Sequence, residues 1–228
     1  MVFSEYQLEA AGTLVRRVFG WMTLGLSITG ITAFALSKVP QVQQLLATNP
    51  SVTFILILIQ LGLVLFLSFG LEKMSPQAAI LSYLVYSFAT GVTFSILFLL
   101  FTGASLALTF FICAATFGAM ALYGLVTRSD LSGLGNFLFM GLIGLIISGV
   151  VNIFLKSSQV DFVSSIFGVI IFTLFTAYDV QMVKRFGLAL YNSGADMTKV
   201  SIMSALKLYL DFVNLFLYLL RFFGQRRD

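Results

Sequence analysis

Seven stretches of this chain run apolar for about 20 residues each, separated by charged or turn-forming residues: roughly 18–37, 52–70, 78–101, 105–126, 134–155, 162–183 and 200–223. A helix needs about 20 apolar residues to cross a bilayer core. Barrel strands would be about half that length and would alternate apolar with polar residues. These runs do not alternate. In lipid, backbone groups must be satisfied within the segment, so the stretches are expected to be helices. The expected fold is an all-α integral membrane protein, a single seven-helix transmembrane domain over residues 1–228. No separate soluble domain is expected, since the longest loop, Gln181 to Lys199, has only 19 residues.

Lys38, Pro40, Asn49 and Pro50 close the first span, and Glu72, Lys73 and Pro76 separate the second from the third. A Thr102-Gly103-Ala104 link predicts a tight hairpin between the third and fourth. Arg128, Ser129 and Asp130 end the fourth, and the segment from Lys156 to Asp161 divides the fifth from the sixth. Arg16 and Arg17 precede the first span with no small-residue cleavage pattern behind it, so a removable signal peptide is not expected. No internal repeat suggests a two-halved transporter. Loop cations on the N-terminal side are Arg16, Arg17, Lys73, Arg128, Lys184, Arg185 and Lys199, against Lys38, Lys156, Arg221, Arg226 and Arg227 opposite. Seven against five favours a cytoplasmic N-terminus. The net charge of +4 is accounted for by these flanking residues and implies no nucleic-acid partner.

Charged residues make up 10% of the chain, where soluble domains carry about 25%. Histidine is absent and cysteine occurs once. This excludes histidine-ligated metal sites and every Ser-His or Cys-His nucleophile pair. No enzyme activity and no resident cofactor are expected. Any response to pH near neutrality must come from a group other than imidazole.

Ionisable groups inside spans are costly and therefore point to function. Gln60 is the strongly polar residue of the first two spans; Tyr83, Tyr86, Tyr123, Asn136 and Asn152 follow in the next three. The two acids within spans are Asp179 in the sixth and Asp211 in the seventh. Asp179 precedes Lys184 by five residues and Asp211 follows Lys207 by four, offsets of about 7.5 and 6 Å at 1.5 Å per residue. If Lys184 and Lys207 mark the same interface, Lys207 by snorkelling, the carboxylates of these antiparallel spans match in depth and can meet. Two charges about 4 Å apart repel by roughly 4 kcal/mol at an effective dielectric near 20. Such a pair would share a proton and give a histidine-free chain a pH switch. The doubly ionised state could bind Ca²⁺, which prefers oxygen ligands. The structural alternatives are an Asp211–Lys207 pair at helical spacing and an interfacial Asp179 beside Lys184 and Arg185. Lys207, Asp211, Asn214 and Tyr218 form a polar stripe at i, i+4, i+7, i+11, so one face of the seventh helix is expected to look into protein or water.

Other features read as structural. Ala114-x-x-x-Gly118 and Gly144-x-x-x-Ser148 are small-residue spacings that permit close helix approach. The 25 phenylalanines suit lipid-facing bulk, Tyr6, Trp21 and Tyr191 suit interfacial anchoring, and Cys113 suits an inert core position.

The seventh stretch reads Ser204-Ala-Leu-Lys-Leu-Tyr-Leu-Asp-Phe-Val-Asn-Leu-Phe-Leu-Tyr-Leu-Leu-Arg-Phe-Phe-Gly224, and the sixth ends Leu174-Phe-Thr-Ala-Tyr-Asp-Val-Gln181. With seven spans and this length, the chain closely resembles bacterial members of the Bax inhibitor (transmembrane Bax inhibitor motif) family, over essentially its whole length. The Tyr-Asp-x-Gln and Leu-Tyr-Leu-Asp-Phe-x-Asn-Leu-Phe elements carry the resemblance. It implies a central hydrophobic seventh helix wrapped by the other six. It also implies an aspartate pair, here Asp179 and Asp211, acting as a pH-sensitive latch on a calcium leak pathway. Lys73, Tyr178, Gln181, Lys207 and Asn214 are the candidate supporting polar residues. In relatives an arginine near the end of the second span pairs with the acid of the sixth; here Phe69-Gly-Leu-Glu-Lys-Met-Ser75 offers only Lys73, a point charge without bidentate geometry. Lys207 stands where relatives have a small polar residue, and the linker between the aspartates is longer by several residues.

The leading expectation is a pH-sensitive calcium leak channel in a bacterial inner membrane. Asp179 and Asp211 are its gate and its contacts for calcium, the permeant ion, and the lipid bilayer surrounds it. The alternative is a regulator that acts through helix contacts with membrane protein partners, as in cell-death suppression or modulation of a membrane protease. A retinal photoreceptor fails because the span from Ala78 to Phe101 has no carboxylate counterion. An intramembrane aspartyl protease fails because Gly-x-Gly-Asp surroundings are missing at both acids.

Overall fold

The computed structural model describes residues 5–70, 73–193 and 196–227. Among them the chain forms α1 (Glu5–Ser37), α2 (Pro40–Thr48), α3 (Pro50–Gly70), α4 (Pro76–Phe94), α5 (Leu97–Leu100), α6 (Gly103–Val126), α7 (Leu134–Leu155), α8 (Ser158–Ser193) and α9 (Met197–Phe223). Seven segments are long and apolar enough to cross a membrane: α1, α3, α4 with α5, α6, α7, α8 and α9. The protein is an all-α, multi-pass membrane protein.

Local chemistry sets the helix ends. Pro40 and Pro76 open α2 and α4 at positions where a missing N–H costs nothing. Ser75 accepts from the Ala78 amide, Thr102 from Ser105, and Asp196 from Thr198 and Lys199, each satisfying first-turn donors. Lys156 ends α7 in the left-handed region, φ 49°.

The last helix is the centre. In its most apolar window 61% of α9 is buried, against 6% of α3 and 11% of α7. α9 packs directly on α1, α4, α6 and α8, while α3 lies outside α4 and α7 outside α8. Phenylalanines cover the outer surfaces, among them Phe54, Phe111 and Phe154, all exposed where lipid would lie. Cys113 is fully buried, its thiol directed at the Phe212 carbonyl at 3.6 Å.

Several boundaries differ from the sequence reading. The segment read as a loop from Gln181 onward is helical to Ser193. Lys184 and Arg185 mark the end of the apolar run but do not end the helix, because charged residues form helix readily in water. This extension packs on the start of α1, where a Cβ on Gly187 would lie 2.5 Å from the Ala11 Cα. α1 correspondingly begins at Glu5, well before the apolar run. The outer connection after α1 holds the short helix α2. The third span breaks after Phe94 and resumes as the single turn α5; Phe101 and Thr102 then form the hairpin link. That link is tied to the C-terminal tail by an antiparallel bridge between Phe101 and Arg226, with Thr102 N–H donating to Gln225 O at 2.9 Å. Glu72 lies outside the described residues, as does the Tyr191 side chain.

Gly118 and Gly144 do not mark close helix approach, since a Cβ at either would meet nothing within 4 Å. The close approach beside the acid of α8 is at Gly124, where a Cβ would lie 2.4 Å from the Ala177 carbonyl oxygen.

Candidate functional site

α8 and α9 run antiparallel and bring Asp179 and Asp211 within electrostatic reach of each other. Both are buried, 8% and 5% exposed. A hydrogen bond between two carboxyl groups requires a proton on one of them, since an ionised carboxylate only accepts. Asp211 Oδ2 is buried without any hydrogen-bond partner. No group of three or more His, Cys, Asp or Glu is gathered among the described residues.

The cations near the pair have their own partners or none. Lys184 Nζ donates to Leu125 O at 2.7 Å, satisfying a carbonyl at the C-terminal end of α6. Arg185 pairs with Asp130 at 2.6 Å in the α6–α7 loop. Neither reaches Asp179. Lys207 is exposed and forms no direct ion pair with Asp211, yet its charge acts on both carboxyl groups. Lys73 sits exposed in the turn before α4, and among the described residues no ion pair joins it to Asp179.

The supporting residues named from sequence divide differently. Gln181, one turn-fraction beyond Asp179, clamps the α6–α7 loop: its Nε2 donates to Ser129 O at 2.8 Å and its Oε1 accepts from Leu131 N–H at 2.9 Å. Tyr178 reaches α7, where a Cβ on Gly135 would lie 2.7 Å from its hydroxyl. Asn214 donates to Leu210 O of its own helix at 2.8 Å. None of these interactions involves the acid pair. Asp130, outside the membrane spans, is held down to about 2 by the Ser132 hydroxyl at 2.6 Å, the Ser132 amide at 2.8 Å and the Arg185 guanidinium.

On the side of the pair toward the C-terminus, Tyr218 stacks on Phe172, centroids 5.8 Å apart and planes 25° apart, and its ring lies directly over Gly168. Arg221 sits 5.1 Å from the Tyr218 centroid and reaches Asp161 at 3.4 Å. Beyond this aromatic layer, Ser148, Asn152, Asp161, Ser164 and Arg221 line a polar pocket.

The opposite face of α9 is anchored by Tyr209, which sequence reasoning passed over as part of an apolar motif. Thr29 Oγ1 donates to Ser87 O at 2.8 Å and so accepts from the Tyr209 hydroxyl at 2.7 Å. Tyr83 and Tyr86 pack edge-on against the Tyr209 ring, and Tyr83 donates to Trp21 O at 2.9 Å. The signal available was a hydroxyl-bearing residue two positions before a buried acid, which places it on another helix face.

Comparison with known proteins matches residues 12–228 to the family described as inhibitor of apoptosis-promoting Bax1. The inner membrane protein YbhL of Escherichia coli K12 is 44% identical over 216 residues, covering 94% of this chain and 92% of its own. An uncharacterized protein of Borreliella burgdorferi is 44% identical over 212 residues, 93% and 91% of the two chains. One from Deinococcus radiodurans is 36% identical over 221 residues, 97% and 94%. Seven apolar helices and an inner-membrane relative mark this chain as a multi-pass protein of a bacterial inner membrane. The motifs around Asp179 and Asp211 and the match over nearly the whole chain lead to one conclusion: the chain belongs to the Bax inhibitor family.

Proposed function

We propose that this protein is a pH-sensitive, calcium-permeable leak channel in which Asp179 and Asp211 form the gate. The observation that carries this reading is the meeting of two buried carboxyl groups between α8 and the central helix α9. With one shared proton the pair is a hydrogen bond that ties the two helices. With none, two charges at about 4 Å repel by roughly 4 kcal/mol at an effective dielectric near 20, which drives α8 and α9 apart. The unpartnered Asp211 Oδ2 then becomes one of several oxygens that a passing Ca²⁺ can exchange for hydration water. Two carboxylates are far short of the six to eight oxygens of a tight calcium site, which suits a permeating ion rather than a stored one. Lys207 sits within electrostatic reach of both acids and tempers their affinity for a cation. Tyr218, stacked on Phe172, forms part of the wall of the pocket lined by Asp161 and Arg221.

The test is Ca²⁺ flux into proteoliposomes between about pH 6 and 8, for the native chain, Asp179→Asn and Asp211→Asn. The channel reading expects a flux that depends on pH in the native chain and loses that dependence in either variant. Flux no greater than in empty liposomes at every pH would overturn it and turn attention to membrane protein partners.

A further inference from the structure

The largely apolar cavity between α1, α5, α6 and α9 has a volume of about 410 Å³. That falls within the range of roughly 300–1,000 Å³ typical of small-molecule sites. Its floor is the central helix at Phe212, Val213 and Phe216, beginning one residue after Asp211. Phe34 and Phe98 meet edge-on at 6.1 Å on one wall, and Phe110 meets Phe212 at 5.6 Å on the other. Thr29, the one hydroxyl-bearing residue in the lining, already bonds Ser87 and Tyr209, so the interior offers no free polar group. Water does not fill apolar space of this kind, and an empty cavity forfeits the dispersion contacts of its lining.

The cavity opens sideways. No extensive interface joins α1 to α6, and Phe34 and Phe110 are 56% and 45% exposed at its mouth. Both helices cross the membrane, so what lies at that mouth is the acyl region of the bilayer. Along α1 the lining runs from Leu26 to Phe34, and Lys38 follows one turn later with its ammonium 5.1 Å from the Phe34 ring centroid. From Leu26 to the end of α1 at Ser37 is about 16 Å at 1.5 Å per residue. A cation therefore stands at the headgroup end of a slot whose other end is apolar and deep.

We propose that this cavity is a phospholipid site: one acyl chain lies against Phe212, Val213 and Phe216, and the phosphate sits at Lys38. The occupant is a bilayer lipid, because the slot is reached from the acyl region and pairs an apolar interior with an exposed cation, Lys38, at its headgroup end. The site does not depend on the channel reading.

The full chain would be reconstituted in phosphatidylethanolamine–phosphatidylglycerol vesicles containing a phospholipid with a mid-chain diazirine. After irradiation, adducts are mapped by peptide mass spectrometry. Gly30 and Gly103 line the cavity, and a Cβ at either meets nothing within 4 Å, so Gly30→Leu and Gly103→Leu fill it without a clash at Cβ. Adducts should concentrate on Phe212, Val213 and Phe216 and fall roughly fivefold or more in both variants, a loss of about one kcal-scale step in affinity. Gly118→Leu, on open surface of α6, should leave them unchanged. In Lys38→Ala, labelling by the phospholipid should drop to that of a diacylglycerol carrying the same diazirine. Adducts no denser on the α9 floor than on exposed Phe111 and Phe154, or unchanged in both filled variants, would overturn the acyl site. Equal labelling by the two lipids in the native chain would overturn the phosphate contact.

Discussion

Gly168 faces the ring of Tyr218 so closely that a Cβ there would lie 2.5 Å from the tyrosine Cγ, and Tyr218 in turn stacks on Phe172. The ring cannot retreat without leaving that stack. Gly168→Ala should therefore destabilise the fold by about 1–3 kcal/mol, as overpacking does. Gly118→Ala, with open space at the same position, should stay within about 0.5 kcal/mol of the native chain. Reversible unfolding in mixed micelles reads both, and equal stabilities would show that Tyr218 yields at little cost.

Gln181 is the second case. Its two hydrogen bonds hold opposite sides of the α6–α7 loop, at Ser129 and Leu131. Net contributions near 1 kcal/mol per bond predict that Gln181→Leu costs about 2 kcal/mol. The Leu131 amide, which donates to Gln181 Oε1, should lose protection in hydrogen exchange before the amides of α8 do. Unchanged exchange at Leu131 would mean that the loop is held by Asp130 and Arg185 alone.

The seven crossings were legible because hydropathy and length are properties of the residues themselves. The meeting of Asp179 and Asp211 was legible too, through their matched offsets from Lys184 and Lys207. The partners of those lysines were not. Lys184 takes up a carbonyl of α6, 59 residues earlier, and nothing in the local pattern around it names Leu125. Ion pairs at i, i+4 are visible in sequence, but Lys207 and Asp211 show that the spacing does not oblige the pair to form. Small-residue spacing misled for a related reason. Gly118 and Gly144 carry the expected motif yet face open space, whereas Gly124, Gly168 and Gly187 are tight because of what other helices place opposite them. The helical continuation from Gln181 to Ser193 was hidden because an apolar run records the thickness of the membrane, not the length of the helix.

Asp130 makes a prediction about acid. Its carboxyl is held at about 2, below the ordinary value near 3.9, first by the Ser132 hydroxyl and amide and then by Arg185. A depressed carboxyl contributes stability that is fully present above the unfolded value and is lost as pH falls through the folded one. Asp130→Asn should therefore melt lower than the native chain at neutral pH, with the gap closing between about pH 4 and 2. The group is exposed, so the gap is small. Salt should shrink only the Arg185 part, since the Ser132 bonds are short-range. A gap that persists unchanged at pH 2 would contradict the assignment.

Thr29 and Tyr209 fasten the central helix to α1, and their coupling can be measured with Thr29→Val, Tyr209→Phe and the double variant. Hydrogen bonds between membrane helices average about 0.6 kcal/mol and reach about 1.7 kcal/mol, which bounds the expected interaction energy. The two single variants should differ. Tyr209→Phe removes a donor but leaves Thr29 bonded to Ser87 O, whereas Thr29→Val strands the buried Tyr209 hydroxyl. Leaving a buried donor unpaired costs more than deleting it, so Thr29→Val should be the more destabilising change. Thr90 is the other hydroxyl beside Tyr209 and can take the proton in part. The penalty for Thr29→Val should therefore grow when Thr90 is also replaced by Val. Additive effects in the Thr29–Tyr209 cycle would show that α9 is seated by its apolar contacts and that the hydroxyl chain contributes nothing to its position.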